Sequence, residues 1–237
     1  MVKKRRIAIF AEKLYGGGVE KILQIVCRNF DYSRYDMTLY ASRKEEMPIG
    51  TYPEHLKFRY IFDDGNGLSA KIKNKLKLLV YYHLSPSKYY RLFIREKYDV
   101  GIAFIEGYAT RFLSGAPAGV KKIAWLHTDI ENNHWTDVSY QSRDEEKVCY
   151  QVFDKIVCVS AVVERKAQEI LGLEKTVVLY NPIETKKIEE LSKISVDKDE
   201  KKIRIVSIGS LIPVKGYDRL IRVVKKLRDE HVAIEHD

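Results

Sequence analysis

Cysteine is scarce in this chain of 237 residues, with only Cys27, Cys149 and Cys158, odd in number and widely spaced. No CxxC pair and no Cys/His spacing of a metal site occurs, which leaves reduced, mostly buried thiols in a cytoplasmic protein as the expectation. Long apolar runs are missing too. Nothing approaches the ~20 residues a membrane-spanning helix needs. The basic start MVKKRR is followed by only IAIFA before Glu12 and Lys13, too short for a signal-peptide core and suited to a strand. There is no GxGxxG and no GxxxxGK[ST], which weakens NAD and P-loop ATP binding. No G-x-S-x-G surrounds Ser160 and no Cys/His nucleophile pair stands out, so hydrolysis has no support.

What is present is an ordinary globular composition, 45% hydrophobic and 11% aromatic. The formal charge is +9, from 42 Lys and Arg against 33 Asp and Glu. Such an excess concentrates phosphorylated ligands, anionic lipid or nucleic acid without choosing among them. No nucleic-acid recognition motif accompanies it, so nucleic acid is not expected as a partner.

Short apolar runs alternate with helical periodicity along most of the chain. Strands are expected at 6–11, 37–41, 57–62, 99–105, 122–127, 155–160 and 176–180. Helices are expected at 19–30, 70–83, 87–97, 108–114, 138–153 and 161–171. Ser85-Pro86 breaks two of the helices, and Gly172 ends another. The turn GNGLS falls at 65–69. About seven strands interleaved with helices predict an α/β fold: a doubly wound, Rossmann-like parallel sheet. After a charged stretch at 184–202, IRIVSIGSL (203–211) reads as a fresh strand that partly echoes RRIAIFAEK, and a helix is expected over 216–230. The expectation is one domain over 1–195, then a linker and the first βα unit of an incomplete second Rossmann-like domain over 196–237.

Ligands of doubly wound sheets bind at the carboxyl ends of strands, which selects 11–18, 104–108, 127–135, 160, 181 and 209–216. Gly16, Gly17 and Gly18 lie in the first such turn. Glycines there let backbone approach a ligand, and the helix N-terminus behind them offers free N–H groups to phosphate; the alternative is a tight turn needing glycine for geometry alone. His127 closes the strand IAWLH and can donate to or accept from a sugar hydroxyl, unless it is a satisfied structural histidine. His134 is a weaker candidate in the loop that follows. Lys215 opens the last helix, where a cation can neutralise a diphosphate. Asp197-Lys198-Asp199 matches a DxD pattern, but within a charged linker, so no metal site is expected. Lys71, Lys73, Lys75 and Lys77 surround Ile72, Leu76, Leu79 and Val80, with Tyr81, Tyr82, Tyr89 and Tyr90 following. This basic amphipathic segment, 70–90, suits an anionic membrane surface, or else packs inward by its apolar stripe with its lysines solvated.

Taken in order, four segments are similar to those of the family 4 glycosyltransferases: GGGVE, WLHTD, VLYNPIE and VSIGSLIPVKGYDRLI. The resemblance implies the two-domain GT-B architecture and a retaining, metal-independent transfer of a hexose-type sugar from a nucleotide-sugar donor. The acceptor implied is a glycan or lipid-linked sugar of cell-envelope or exopolysaccharide assembly, handled by a cytoplasmic protein, peripheral on the inner membrane face. It places Gly16 to Gly18 near donor phosphates and acceptor, His127 at the reacting sugar and Lys215 at the donor diphosphate. Ser210 stands where the family has an arginine that contacts phosphate, and Asn181 belongs to the VLYNPIE segment among the substrate-binding positions. The family's distal Glu-x7-Glu, which holds the donor, would lie beyond Asp237, so this chain is expected to be incomplete. The alternative is a non-catalytic Rossmann-type module that binds acceptor or membrane surface.

Overall fold

β-branched and apolar residues at the start of the chain make β1 (Arg5–Phe10), which becomes the centre of the sheet. The computed structural model describes residues 3–44, 47–62, 67–131, 134–195 and 203–236. The chain divides into two compact units, Met1–Glu184 and Thr185–Asp237.

In the first unit the order after β1 is α1 (Gly18–Arg28), β2 (Tyr35–Ala41), β3 (Lys57–Tyr60), α2 (Leu68–His83), α3 (Pro86–Phe93), β4 (Val100–Ala103), α4 (Tyr108–Ser114) and β5 (Lys121–Leu126). A 3-10 turn (Trp135–Ser139), α5 (Arg143–Gln151), β6 (Lys155–Cys158), α6 (Ala161–Leu171) and β7 (Thr176–Val178) complete it. The seven strands are all parallel, in the order β3-β2-β1-β4-β5-β6-β7. This is the doubly wound α/β sheet expected, with its switch point between β1 and β4.

Alternation along the strands divides the core in two. Ile7, Ile9, Met37, Leu39 and Trp125 face the layer of α1, where Leu23 and Cys27 are buried. Ala8, Phe10, Tyr40, Ala124 and Leu126 face the opposite layer, with Tyr89, Phe112, Tyr150 and Val163. Each such large side chain removed from water stabilises by roughly 1.5–3 kcal/mol. Arg111, also buried, ties that second layer together. Its guanidinium donates to the carbonyls of Tyr81 (2.6 Å) and Leu84 (3.3 Å) and to Glu145 Oε1 (2.9 Å). The three cysteines are free and buried. Burial pushes the thiols of Cys27 and Cys158 up to about 12, and that of Cys149 up to about 11.

Some local expectations need correction. The helix expected over 138–153 is a 3-10 turn followed by the shorter α5, because Ser142 caps α5 by accepting from Glu145 N–H. Glu146, in the charged first turn of α5, is turned inward and only 1% exposed. For α2 the alternative of packing inward by its apolar stripe does not hold. Ala70, Asn74 and Tyr81 are buried, while Leu68, Ile72, Leu76 and Leu79 are exposed. Part of the 65–69 turn and the Asp197-Lys198-Asp199 tripeptide lie outside the described residues.

The second unit contains α7 (Thr185–Ser192), β8 (Ile203–Ile205), a 3-10 turn (Pro213–Lys215), α8 (Tyr217–Asp229) and β9 (Ile234–His236). The strand expected over 203–211 covers only three residues. A further strand, β9, pairs with it in parallel, Ile203 opposite Ile234, so the βα unit is a βαβ unit. Among the described residues no helix is long and apolar enough to cross a membrane.

Candidate active site at the carboxyl edge of the sheet

The turn after β1 is fixed at one point and open beyond it. Leu14 is fully buried, and its carbonyl accepts from Tyr52 Oη (2.8 Å) and Gln24 Nε2 (3.3 Å). Past that anchor Gly16, Gly17 and Gly18 are exposed. Gly16 has φ +104°, a left-handed value that strains any side-chain-bearing residue. Gly17 precedes α1 and gives it no side-chain cap, so the N–H groups of the first turn face outward. Glu20 sits in that first turn, its carboxylate folded over Gly17.

His127 follows β5 at the same edge, and its ring shares the α1 face of the sheet with Trp125 and Phe104. The imidazole stacks on Trp125 with centroids 5.9 Å apart and lies 5.2 Å from Phe104. Both ring nitrogens are buried and without a hydrogen-bond partner. Burial pushes its pKa down to about 4, against a weaker opposing pull from the Phe104 backbone, so the ring is neutral near pH 7. A neutral imidazole can donate from one nitrogen and accept at the other, as a hydroxyl partner requires.

A residue missed by sequence reasoning supports this strand end. Glu106, fully buried just past β4, accepts the His127 backbone N–H at 3.1 Å. Its other carboxylate oxygen has no partner. Burial raises its pKa, opposed chiefly by the Thr128 hydroxyl. Gly107 behind it has φ +81°, and an added Cβ would meet Ser139 Oγ at 2.9 Å. The available signal was a carboxylate and a glycine directly after an apolar run, at a position already marked as a strand end.

His134 is engaged instead. Its Nε2 lies 2.7 Å from Glu146 Oε2 and 3.5 Å from Asp137 Oδ1, and Thr136 donates to Glu146 Oε1 at 3.0 Å. This trio is the sort of set that can hold a metal, its ligand atoms all within 4.8 Å of one another. The short His134–Glu146 contact is already a satisfied hydrogen bond. It pins the 3-10 turn to α5.

The remaining expected residues are on other segments. Asn181 is exposed beyond β7, the edge strand. Ser210 and Lys215 belong to the second unit, both exposed, Lys215 closing the 3-10 turn before Gly216 at φ +70°. None of the expected site residues lines the hollow that described residues form at this edge. That hollow of about 580 Å³ opens beyond β1, β2 and β3, and its walls include Glu12, Arg43, Lys71, Lys75 and Tyr108.

A family model described as Glycosyltransferase Family 4 matches residues 16–187. Among solved structures the chain is similar to Anabaena HepE, crystallised in complex with UDP and glucose. The TM-score is 0.57 at 14% identity, over 97% of this chain and 59% of that one. It is also similar to the apo form of the lipopolysaccharide outer core galactosyltransferase WaaB. There the TM-score is 0.59 at 13% identity, over 98% of this chain and 67% of that one. At such identity the likeness is one of fold, and the chain spans about three-fifths of the length of HepE. No curated protein matches it.

Proposed function

The chain belongs to glycosyltransferase family 4, and from that premise we propose that it serves a retaining transfer of a hexose from a nucleotide-sugar donor. The acceptor is a glycan or lipid-linked sugar in cell-envelope or exopolysaccharide assembly. Residues 1–195 act on the acceptor side, and 196–237 contribute to the donor side. The observation that carries this reading is the family match itself. It runs from Gly16 of the open turn to Lys187, taking in the strands from β2 to β7.

In this reading no metal takes part. The bond between the anomeric carbon and the donor diphosphate breaks as the bond to the acceptor oxygen forms. The charge left on the diphosphate is met by N–H groups at the start of α1 and by Lys215, with Ser210 beside it. His127, neutral and without a partner, hydrogen-bonds a hydroxyl of the reacting sugar once neighbouring side chains admit it. Asn181 contacts substrate beyond β7. The protein works at the cytoplasmic face of the membrane, docked through 70–90.

The test offers UDP- and GDP-linked hexoses to the protein with saccharide and lipid-linked acceptors, and reads product and anomeric configuration by NMR. Transfer with retention, lost on Lys215→Ala through weaker nucleotide binding, is the expected result. No transfer or hydrolysis of any nucleotide sugar, with nucleotide affinity indifferent to Lys215→Ala, sinks the reading. Salt-sensitive binding to vesicles without nucleotide affinity would favour the non-catalytic module.

A further inference from the structure

His134, Asp137 and Glu146 are brought together by two short elements, the 3-10 turn Trp135–Ser139 and α5. His134 precedes that turn, Asp137 lies within it, and Glu146 falls in the first turn of α5. A 3-10 turn repeats about every three residues, which puts His134 and Asp137 on one side of it. Ser142 fixes where α5 starts by accepting from Glu145 N–H, and Glu146 then faces back to His134. Among the described residues, these three offer one imidazole nitrogen and two carboxylate oxygens, all within 4.8 Å of one another.

The spacing is close to that around a bound ion. His134 Nε2 is 2.7 Å from Glu146 Oε2 and 3.5 Å from Asp137 Oδ1. Donor atoms about 2.0–2.2 Å from a tetrahedral ion stand about 3.4 Å from one another, so the shorter contact has to open by only about 0.7 Å. Thr136 donates to Glu146 Oε1 at 3.0 Å and so leaves Oε2 for the histidine. Metal-bound carboxylates are commonly oriented by such a contact. Charge argues the same way. Two carboxylates share one imidazole, and Arg143 reaches Asp137 only at 3.8 Å from an exposed position. Glu146 is almost wholly buried, where a carboxylate needs a positive partner. A separate observation agrees. The buried hydroxyls of Tyr140 and Tyr150 have no hydrogen-bond partner. Burial raises the pKa of both, with the Glu146 charge among the lesser causes. Buried polar atoms left in this state point to water or an ion nearby.

We propose that His134, Asp137 and Glu146 bind one zinc ion, with water as the fourth ligand. One nitrogen and two carboxylate oxygens suit zinc better than calcium or magnesium, which take oxygen ligands alone. His134 binds through Nε2 as the neutral ring, and both carboxylates bind as anions. The role is structural. In the metal-free protein the His134–Glu146 hydrogen bond holds the 3-10 turn to α5, and the ion replaces that bond with a three-point staple. The stapled segment follows directly from the β5 end that carries His127, so the ion steadies that end of the sheet. The proposal stands apart from the transfer reaction, in which no metal takes part.

Calorimetric titration of the EDTA-treated 237-residue chain with zinc chloride tests it. One ion should bind with a dissociation constant in the micromolar range or tighter. Cobalt(II) in its place should give the visible absorption of a four-coordinate ion. Magnesium and calcium chloride should bind at least about 100-fold more weakly. Zinc should also raise the urea midpoint of the wild type. Asp137→Asn should weaken zinc by about tenfold or more, and His134→Gln and Glu146→Gln by about 100-fold. Circular dichroism verifies the fold of each variant. Glu146→Gln keeps the side chain's shape and an oxygen for Thr136. Asp137 is 53% exposed, so its variant decides the matter alone if the buried ones do not fold. No binding at millimolar zinc, or equal affinity for magnesium, overturns the proposal. So does zinc affinity that Asp137→Asn leaves unchanged, which would mark an adventitious surface site.

Discussion

Two histidines stand near the same edge of the sheet, each next to a buried glutamate, and they are used in opposite ways. His134 puts its ring nitrogen on Glu146 at 2.7 Å, and Thr136 takes the other oxygen of that carboxylate. His127 gives Glu106 only its backbone N–H, and both its ring nitrogens are left without a partner. The first pair closes on itself and holds a turn. The second fixes the backbone and leaves the side chain's hydrogen-bonding capacity unspent. A buried polar group left in that state needs an explanation beyond stability, because each one costs about 1–3 kcal/mol. In the function proposed above, a hydroxyl of the reacting sugar supplies it.

Exchanging each ring for a phenyl group should break the symmetry most sharply. His127→Phe keeps the stacking on Trp125 and Phe104 but removes both nitrogens. Sugar transfer should fall about 100-fold, or roughly 3 kcal/mol, while urea denaturation shows stability unchanged or slightly higher. Transfer kept at the wild-type rate would remove His127 from the site. His134→Phe should do the reverse. Glu146 Oε2 loses its partner in a buried place, and the denaturation midpoint should report a loss of about 2 kcal/mol, with the transfer rate retained.

pH isolates the His127 ring. His127 has its folded pKa pushed down to about 4 from 6.5. The unfolded chain therefore binds more protons between those values, and stability must fall as the pH drops through that window. The wild type should lose up to about 1 kcal/mol per pH unit relative to His127→Phe over that range. Glu106 is raised by burial, so its contribution has the opposite slope, favouring the fold at low pH and fading as pH rises. It is present in both proteins and cancels in the difference. Parallel stability curves for the two would contradict the buried, neutral ring. The smallest effect belongs to Asp137→Asn. That carboxylate is 53% exposed and 3.5 Å from His134, so the change should stay within about 0.5 kcal/mol. A larger loss would mean that the His134 cluster depends on its exposed member.

Much of the frame was legible residue by residue. Gly172 is in the left-handed conformation that ends α6, Pro86 opens α3, and the short apolar runs became the parallel strands in chain order. Local chemistry decides these features: a missing Cβ, a fixed φ, a run too short for a helix. The open glycine turn and the strand-end position of His127 were equally legible. The outward face of α2, the inward turn of Glu146 and the role of Glu106 were not. Periodicity shows that a helix has two faces, but not which one meets the protein. In α2 the tyrosine-rich layer took Asn74 and Tyr81 and excluded four aliphatic side chains. Glu146 finds its partner twelve residues away, across a bend no pattern marked. β9 was missed for a similar reason: three residues carry too little pattern to be read before their neighbour β8 is in place.

The amino-acid order alone determined the alternation of strands and helices, the parallel sheet and the family, because these depend on interactions within a few residues and on motifs in sequence. Only the folded chain decided which polar groups are left without partners and which apolar groups without cover. Those properties belong to pairs of distant segments, and no residue carries them until the sheet has brought its neighbours to it.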